Sequence, residues 1–404
     1  KEGIIKAIKG SIRLSRAEEV GINLNGNSLV DLTVNKGVLD SLVENKGAVY
    51  ADGGEIYLTT NAVDELLKGV VNNTGIVEAN SLDGITGYVE MFAHGGEAKI
   101  GGTITAKDGF VETSGKDFTF NDAKIEAGEW LIDPVDITIN QALADAIETQ
   151  LDSGDVTIET DAPDYSDIDT NGYESYGGGD IFVTGNIEYT GLNNSSLTLK
   201  AYRHIIFGDS YNPSNKGSIS STNAELDVTL WARAGGNNEA TDSRVGSVWL
   251  PQGSSISTNG GDVIIGGGQD ALNGYTLGQY TTSGENNSLY RGASINGNIN
   301  ADGGDISIRA KAGQSGIAAA RGVSIAGDST IETSGTGNIS IYGIAKGNSD
   351  AVAIGDSYFG NDTTGRGIVS VSDGDIYIEG LKGNGANSEA LYMSNESEVN
   401  SQNG

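Results

Sequence analysis

The sequence contains no cysteine, only four prolines and only two histidines in 404 residues. Without cysteine there is no disulfide framework and no thiolate metal site, so the fold depends on backbone pairing and packing. No apolar run approaches the ~20 residues that cross a bilayer as a helix, so no membrane-spanning segment is predicted. Lysine and arginine number 24 against 55 acidic residues, a formal charge of −31. Because nucleic acid is bound through clustered cations, this balance argues against it as a partner.

Catalytic signatures are equally scarce. His94 lies in the turn-like Ala93-His94-Gly95-Gly96, and His204 precedes the apolar Ile205-Ile206-Phe207, as a residue at a strand end would. No Gly-x-Ser-x-Gly nucleophile elbow occurs. Carboxylates are plentiful, and a glycoside hydrolase needs two of them at a fixed separation. Asp recurs regularly after glycine, however, which favours a structural role in turns, and we expect no enzyme.

Glycine is abundant, with 61 residues, and it opens a repeated pattern. In this pattern glycine is followed by Asp or Asn and then by alternating apolar residues. From Asp227 onward the copies recur at intervals of 35, 43, 33 and 37 residues. The copies are Gly179-Asp180-Ile181-Phe182-Val183, Leu226-Asp227-Val228-Thr229-Leu230, Gly261-Asp262-Val263-Ile264-Ile265, Gly304-Asp305-Ile306-Ser307-Ile308, Gly337-Asn338-Ile339-Ser340-Ile341 and Gly374-Asp375-Ile376-Tyr377-Ile378. A second element, often opened by Arg-Gly, accompanies them at 254–257, 293–296, 323–325 and 368–371.

These repeats predict an all-β fold. A strand with period-two alternation turns its apolar residues to one face, and a single short strand cannot bury them alone. Units stacked in register bury a continuous core, which is a β-solenoid, here with coils of about 20–25 residues. A sandwich or propeller is the competing architecture, but unequal loops between copies favour the solenoid. A few short flanking helices are expected, at 38–43, 62–67 and 141–152.

The first third of the chain carries several motifs in one order. They are Leu42-Val43-Glu44-Asn45, Ala51-Asp52-Gly53-Gly54-Glu55, Val70-Val71-Asn72-Asn73-Thr74-Gly75, Ala93-His94-Gly95-Gly96, Gly109-Phe110-Val111-Glu112-Thr113-Ser114-Gly115-Lys116 and Trp130-Leu131-Ile132-Asp133-Pro134. Together they resemble the C-terminal part of the N-terminal secretion domain in the filamentous haemagglutinin and high-molecular-weight adhesin family. These are exoproteins that Gram-negative bacteria export by two-partner secretion.

The resemblance implies a right-handed parallel β-helix in three regions. Residues 1–140 would be the secretion-type β-helix, 141–178 a junction with a short helix and an acidic loop, and 179–404 a repeat region with variable loops. The family's upstream Asn-Pro-Asn-Gly-type turn and a signal peptide do not occur here. The chain is therefore expected to be a piece of a longer exoprotein.

The resemblance also implies a function without a cofactor. The chain would belong to a secreted, surface-exposed filamentous adhesin that acts as a rigid rod for attachment to cells or surfaces. Its partners would be an outer-membrane transporter barrel during secretion, a host-cell or surface glycan or protein, and other copies in a filament. Two alternatives stay open. One is the stalk of a contact-dependent toxin-delivery exoprotein, and the other is a β-helical polysaccharide-degrading enzyme.

Two sets of residues are candidate binding sites. Asp167, Asp169 and Asn171 match the opening of a calcium loop, D-x-D-x-N-G, whose alternate oxygens can meet one hard cation. The twelfth position is Gly178, where an EF-hand has Glu, so an ordinary acidic turn is the alternative.

Aromatic residues form the second set, and they are expected on two long loops, 266–290 and 344–365. These residues are Tyr275, Tyr280, Tyr290, Tyr358 and Phe359. Their rings would stack on a sugar or, alternatively, cover the rod's own apolar rows. We expect the two loops to lean together into one acidic patch that suits a neutral glycan or a basic protein surface.

Overall fold

The computed structural model describes most of the chain. The described residues are 2–16, 19–23, 31–36, 42–61, 69–161, 178–209, 214–236, 245–278, 290–313, 320–355, 365–394 and 396–403, with the backbone alone described at 19–23, 31–36 and 61. Strands make up 56% of the structure. Two compact units are present: Lys1–Ile137 with Asp145–Asp161, and Thr138–Ala144 with Ala162–Gly404. Within the described ranges, no helix is long and apolar enough to cross a membrane.

Parallel strands in three stacks build the first unit. The strands are β1 (Ile4–Lys6), β2 (Ser11–Arg16), β3 (Glu19–Asn23), β4 (Asp31–Lys36), β5 (Leu42–Asn45), β6 (Ala48–Tyr50), β7 (Glu55–Asn61), β8 (Val70–Asn73), β9 (Ile76–Glu78), β10 (Tyr88–Asp133), β11 (Ile137–Ile139) and β12 (Asp155–Glu159). Of these, β11 begins in this unit, and its Thr138 and Ile139 belong to the second unit. One stack follows β1, β6, β9 and β10, a second follows β2, β7 and β10, and a third follows β5, β8 and β10. Strands β3 and β4 form a separate antiparallel hairpin.

Strand β10 takes part in all three stacks because it bends. Its residues 88–94 pair with β7, 97–100 with β8 and 103–105 with β9. Gly95 and Gly102, at the two bends between these segments, have φ of 66° and 72°. Glycine adopts such left-handed conformations without steric cost. The 46-residue run is therefore a winding chain rather than one straight strand.

One helix, α1 (Gln141–Leu151), is present in the described residues, and it confirms the prediction at 141–152. Asn140 caps it, because its Oδ1 accepts a hydrogen bond from the Leu143 amide at 3.1 Å. The helix expected at 38–43 is wrong at its end, since Leu42 and Val43 belong to β5. Residues 38–41 and the helix expected at 62–67 lie outside the described residues.

The second unit repeats one circuit through three parallel sheets. Its strands are β13 (Ile181–Val183), β14 (Asn186–Tyr189), β15 (Ser195–Lys200), β16 (Ile205–Ile206), β17 (Ser218–Ser221), β18 (Leu226–Ala234), β19 (Val248–Leu250), β20 (Ser255–Ser257), β21 (Val263–Gly268), β22 (Thr276–Leu277), β23 (Ala293–Ile295), β24 (Asn298–Asn300), β25 (Ile306–Lys311), β26 (Val323–Ile325), β27 (Ser329–Thr333), β28 (Ile339–Ile344), β29 (Val352–Ile354), β30 (Gly367–Val371), β31 (Ile376–Leu381), β32 (Leu391–Met393) and β33 (Glu398–Ser401).

The three sheets are stacked in sequence order. The long sheet runs β15-β18-β21-β25-β28-β31, the second sheet β11-β13-β16-β19-β23-β26-β29-β32, and the third sheet β14-β17-β20-β24-β27-β30-β33. The chain visits the long, second and third sheets in turn, and we call each circuit a coil. This stacked parallel arrangement is consistent with the predicted β-solenoid.

Strand register confirms the repeat spacing but not the coil length. In the long sheet Val228 pairs with Val263, Val263 with Ile306, Ile306 with Ile339, and Ile339 with Ile376. These pairs reproduce the intervals of 35, 43, 33 and 37 residues. The expected 20–25 residues per coil are too few for the second unit, because each coil there holds three strands and its connections differ in length.

The copy at Gly179-Asp180 was also misassigned. It precedes β13, which belongs to the second sheet, whereas the corresponding long-sheet strand is β15. The second repeated element likewise mixes two sheets. The segment 293–296 falls on β23 of the second sheet, and 368–371 falls on β30 of the third. Both errors arise because short strands in different sheets share one apolar pattern.

The glycine turn that leads from the third sheet to the long sheet is the regular corner of the coil. A Cβ on Gly304 would lie 2.1 Å from the Gly261 carbonyl oxygen, and one on Gly337 would lie 2.4 Å from that of Gly304. Successive coils therefore approach too closely there for any side chain. This contact, rather than a left-handed backbone, requires glycine at these positions.

The polar residue after each glycine links neighbouring coils. Asp227 Oδ1 accepts from the Asp262 amide at 2.8 Å, and Asp262 Oδ1 accepts from the Asp305 amide at 2.8 Å. Asp305 Oδ1 accepts from the Asn338 amide at 2.7 Å, and Asn338 Oδ1 accepts from the Asp375 amide at 2.9 Å. The recurring Asp thus has the structural turn role that the sequence predicted.

Replacing Gly304 with alanine should destabilise the long sheet, because its Cβ would press on backbone of the adjacent coil. We expect native-state hydrogen exchange at β21 and β25 to report a loss of about 1–3 kcal/mol or more. Gly3→Ala is the matched control, since nothing lies within 4 Å of its added Cβ. Equal protection in the two variants would contradict the close approach of the coils.

Candidate functional site

The structure describes only some of the predicted site residues. Tyr280, Tyr358 and Phe359 lie outside the described residues, as do the calcium candidates Asp167, Asp169 and Asn171. Elsewhere, the described residues contain no group of three His, Asp or Glu side chains that could hold a metal. The calcium site therefore stays a prediction.

Tyr290 does not face a ligand. Only 4% of it is exposed, and it packs against the buried Ala312 and Ala320. Its ring covers the protein's own apolar interior, which was the alternative for these aromatic residues. An exposed sugar cannot stack on a ring that is already buried.

The two expected loops share a corner only in part. The segment 266–290 contains β22 and connects the long sheet to the second sheet. The segment 344–365 contains β29 (Val352–Ile354), and its later part connects the second sheet to the third. Tyr358 falls in that later part and lies outside the described residues, so a patch that joins it with Tyr275 stays a prediction.

Tyr275 instead belongs to a row of cations and aromatic rings on the solvent side of the long sheet. We call Lys200, Trp231, Tyr275, Arg309 and Tyr342 the cation–aromatic row. Lys200 pairs in register with Trp231, and Arg309 with Tyr342. Tyr275 immediately precedes β22, whose Thr276 pairs with Ala310, so it lies beside Arg309.

Direct contacts join the members of this row in two groups, Lys200 with Trp231 and Arg309 with Tyr275 and Tyr342. The Lys200 Nζ lies 5.1 Å from the centre of the Trp231 ring. The Arg309 guanidinium carbon lies 4.8 Å from the Tyr275 ring centre and 4.3 Å from that of Tyr342. Arg309 also donates to the Tyr275 hydroxyl at 2.8 Å. Cation–π contacts of this kind contribute about 0.5–1 kcal/mol each and hold flat rings beside a fixed charge.

The row continues onto the next coil through two tyrosines. The rings of Tyr342 and Tyr377 are 5.6 Å apart, and the Tyr377 hydroxyl donates to the Glu379 carboxylate. Hydrogen bonds from Tyr342 and Tyr377 lower the pKa of Glu379, so this carboxylate is charged at neutral pH. Tyr377 is half exposed and leaves an open aromatic face.

Sequence reasoning found Tyr275 but missed its partners. Arg309 and Tyr275 are 34 residues apart, and Tyr342 follows Arg309 by another 33. Only the register of the coils brings them together. The weak signal was that Trp231, Arg309 and Tyr342 each come directly after the apolar residue that ends a five-residue copy of the repeat.

A second outward row lies on the first unit. The Arg13 guanidinium is 3.8 Å from the centre of the Tyr57 ring, Tyr57 lies 5.5 Å from Tyr88, and Tyr88 stacks on Phe110 at 5.4 Å. Burial raises the pKa of Tyr57 to about 12. The row packs tightly within itself and leaves its rings half-buried.

Two carboxyl groups, Glu90 and Glu112, accompany this second row. Each lies two residues after a member of the stacked Tyr88–Phe110 pair. The two groups therefore lie on adjacent segments of the winding strand β10, which are spaced by about 4.8 Å. Burial raises the pKa of both groups, and the Glu90 charge raises that of Glu112 further. Two opposed carboxyls of this kind resist simultaneous ionisation.

His204 has a structural role. It is buried, and its Nδ1 accepts from the Ser247 backbone amide at 2.9 Å. Asp180 accepts from the His204 backbone amide and from Arg203 Nε, at 3.0 and 2.8 Å. Burial lowers the pKa of His204 to about 3, so the ring is neutral. Asp180 contacts the backbone amide of His204, and Ser247 contacts the ring through its own backbone amide. These are not the side-chain contacts of a catalytic triad.

Comparisons with known proteins add no identification. No protein-family model matches the chain, and no curated protein matches it. The candidate site therefore stands on geometry alone: the cation–aromatic row, which is partly exposed and spans several coils.

The Glu90–Glu112 pair predicts a pH-dependent gain in stability for Glu112→Gln. Both pKa values are raised on folding, so the penalty of ionisation is absent at low pH and grows as the pH rises through them. We expect Glu112→Gln to raise the free energy of unfolding at pH 7 by up to about 1 kcal/mol, with less gain at pH 4. Thermal melts at both pH values measure this.

Glu126→Gln serves as the control, because Glu126 pairs with Lys107 at 3.0 Å and its removal should give no gain. A Glu112→Gln variant that is less stable than wild type at pH 7 would show that the pair is not strained.

Proposed function

We propose that this chain is part of a secreted, surface-exposed filamentous adhesin of the haemagglutinin type, folded as a right-handed parallel β-helix. Its role would be that of a stiff scaffold for attachment to cells or surfaces. The observation that carries the proposal is the cation–aromatic row on in-register coils. Rigid stacked coils present fixed side chains at regular spacing, and partly exposed rings held beside cations keep a surface that a ligand could contact.

The order of motifs in the first third of the chain supports the export route. An outer-membrane transporter barrel would pass the chain to the bacterial surface, where coils form without disulfides. Folding by local stacking suits this route, since each coil has only its neighbours to pair with. Cysteine is absent from the whole sequence, so no oxidation step is needed.

A polysaccharide-degrading enzyme is the second candidate, and the Glu90–Glu112 pair favours it. Adjacent carboxyls with raised pKa values resemble the catalytic pair of a retaining glycosidase, whose carboxyls are ≈ 5–5.5 Å apart. Tyr88 and Glu90 are already hydrogen bonded at 3.1 Å, however, and the stacked rings cover this face. We therefore favour the adhesin over the enzyme.

Beads coated with the purified chain should attach to host epithelial cells in a saturable manner. Tyr342→Ala should reduce attachment several-fold, because it removes a ring from the row and frees Arg309 from one of its two aromatic contacts. Flow-cell counting of retained beads measures this, with thermal melts to verify folding.

Leu192→Ala is the control, since Leu192 is 82% exposed and lies at the glycine-turn corner rather than in the row. Attachment no greater than that of beads with denatured chain would reject the adhesin. Release of reducing sugar from common glycans, lost in Glu112→Gln, would instead establish the enzyme.

A further inference from the structure

Tyr342 and Tyr377 form a pair of tyrosines whose hydroxyl groups meet at the protein surface. Their ring centres are 5.6 Å apart, with an angle of 36° between the ring planes, and their hydroxyl oxygens are 3.4 Å apart. Tyr377 is 50% exposed, and Tyr342 is partly exposed. The two rings are therefore in direct contact with each other and open to a reagent in solution.

Strand pairing holds these two rings in place. Strands β28 and β31 pair in parallel over six positions, and Tyr342 lies opposite Glu379. Tyr377 precedes Glu379 by two residues, so it lies on the same face of the sheet and diagonal to Tyr342. Arg309 on the preceding coil lies 4.3 Å from the centre of the Tyr342 ring. Tyr342 is thus held between Arg309 on one side of the stack and Tyr377 on the other.

Glu379 supplies a proton acceptor beside both hydroxyls. The Tyr377 hydroxyl donates to the Glu379 carboxylate, and the Tyr342 hydroxyl also bonds to it. A phenol gives up its hydroxyl proton when it is oxidised by one electron. A charged carboxylate that already holds that proton in a hydrogen bond is placed to accept it. The arrangement therefore favours oxidation of these phenols over that of a tyrosine bonded only to water.

A covalent bond between these rings would tie one coil to the next. The sequence has no cysteine, so no disulfide joins the coils, which depend on parallel pairing with their neighbours. Tyr342 and Tyr377 are 35 residues apart along the chain. A bond between them would close a loop of that length and restrict the unfolded chain, as a disulfide does.

We propose that Tyr342 and Tyr377 are an oxidative modification site, at which hydrogen peroxide and a haem peroxidase join the two rings as dityrosine. Each phenol loses one electron to the oxidised peroxidase, and its hydroxyl proton passes through Glu379 to water. A carbon–carbon bond forms between the positions next to the hydroxyl-bearing carbon of each ring, and the hydrogen on each of these carbons then moves to the oxygen, which restores both phenols. Two hydrogen atoms leave the protein, and one peroxide becomes two waters. This modification does not depend on what the cation–aromatic row binds.

Tyr57 and Tyr88 provide a comparison pair within the same chain. Their ring centres are 5.5 Å apart, a spacing close to that of the proposed site. Their hydroxyls, however, donate to separate carboxylates, Glu55 and Glu90. Both rings are half-buried, and Phe110 stacks on Tyr88. Because the hydroxyls have different partners and the rings are less open, we expect this pair to react much more slowly.

Treatment of the dilute full chain with hydrogen peroxide and horseradish peroxidase tests the site. We expect the blue fluorescence of dityrosine in a monomeric product. Peptide mass spectrometry should find the peptides of Tyr342 and Tyr377 joined, with the loss of two hydrogen atoms. Tyr377→Phe and Tyr342→Phe should each remove most of the product, because phenylalanine keeps the ring but has no oxidisable hydroxyl. Thermal melts before oxidation verify that both variants fold.

The matched control is Tyr57→Phe, which removes a hydroxyl from the comparison pair and should leave the yield almost unchanged. Glu379→Gln should slow product formation several-fold, since an amide does not accept the phenol proton. An unchanged rate in this variant would overturn the assignment of Glu379 as the proton acceptor.

A dityrosine yield that is unchanged in Tyr377→Phe, or a product that joins separate chains as dimers on a denaturing gel, would overturn the proposed site. Hydrogen exchange of β31 measures the consequence of the bond. The oxidised chain should exchange there several-fold more slowly than the untreated chain, because an opening of β31 no longer releases it from β28. Equal exchange before and after oxidation would overturn the inference that the bond ties the two coils.

Discussion

Parallel pairing of equivalent strands in fixed register is the constraint on which the rest of the structure depends. Val263, Ile306 and Ile339 stack on one another because each strand bonds to the same residues of the coil before it. A slip of one residue would turn every apolar side chain of a strand outward. The glycine turn and the hydrogen bonds from one turn to the next fix the register at one corner. A Cβ on Gly304 would press on the adjacent coil, and Asp262 Oδ1 accepts a hydrogen bond from the Asp305 amide.

The same register explains which features could be predicted from sequence. The long-sheet strands alternate cleanly, as in Ile306–Lys311, so their spacing was visible as a repeat. Strands of the second sheet, such as β23, β26 and β29, are three residues long and buried on both faces. They show no alternation, so they merged with the third-sheet pattern, and the coil length was underestimated. The candidate site was less predictable, because Tyr275 and Arg309 are joined only by stacking.

Charge in this protein has to be considered by position. The acids that repeat along the sequence sit at the regular corner, where each carboxylate serves a backbone amide and no ligand is needed. The cations are few, but most of those that the structure describes in the second unit lie toward the other end of the same strands. A net charge of −31 therefore argues against polyanions only for a protein whose charges are evenly mixed. Here burial lowers the pKa of Lys311, and the charges of Lys346 and Arg233 lower it further.

Variable connections let this scaffold change its surface without changing its core. The coil that holds β21 and β25 spans 43 residues and the next spans 33, yet Ile265, Ile308 and Ile341 remain fully buried. In the longer coil, Gly266–Gly268 present no side chain to the outer face, and the chain leaves the sheet and returns as β22. The pairing of β22 with β25 places Tyr275 beside Arg309, on the face where Gly266–Gly268 have no side chains. The insertion thus completes the cation–aromatic row. On a repeat scaffold the connections can add surface side chains in this way while the stacked interior stays unchanged.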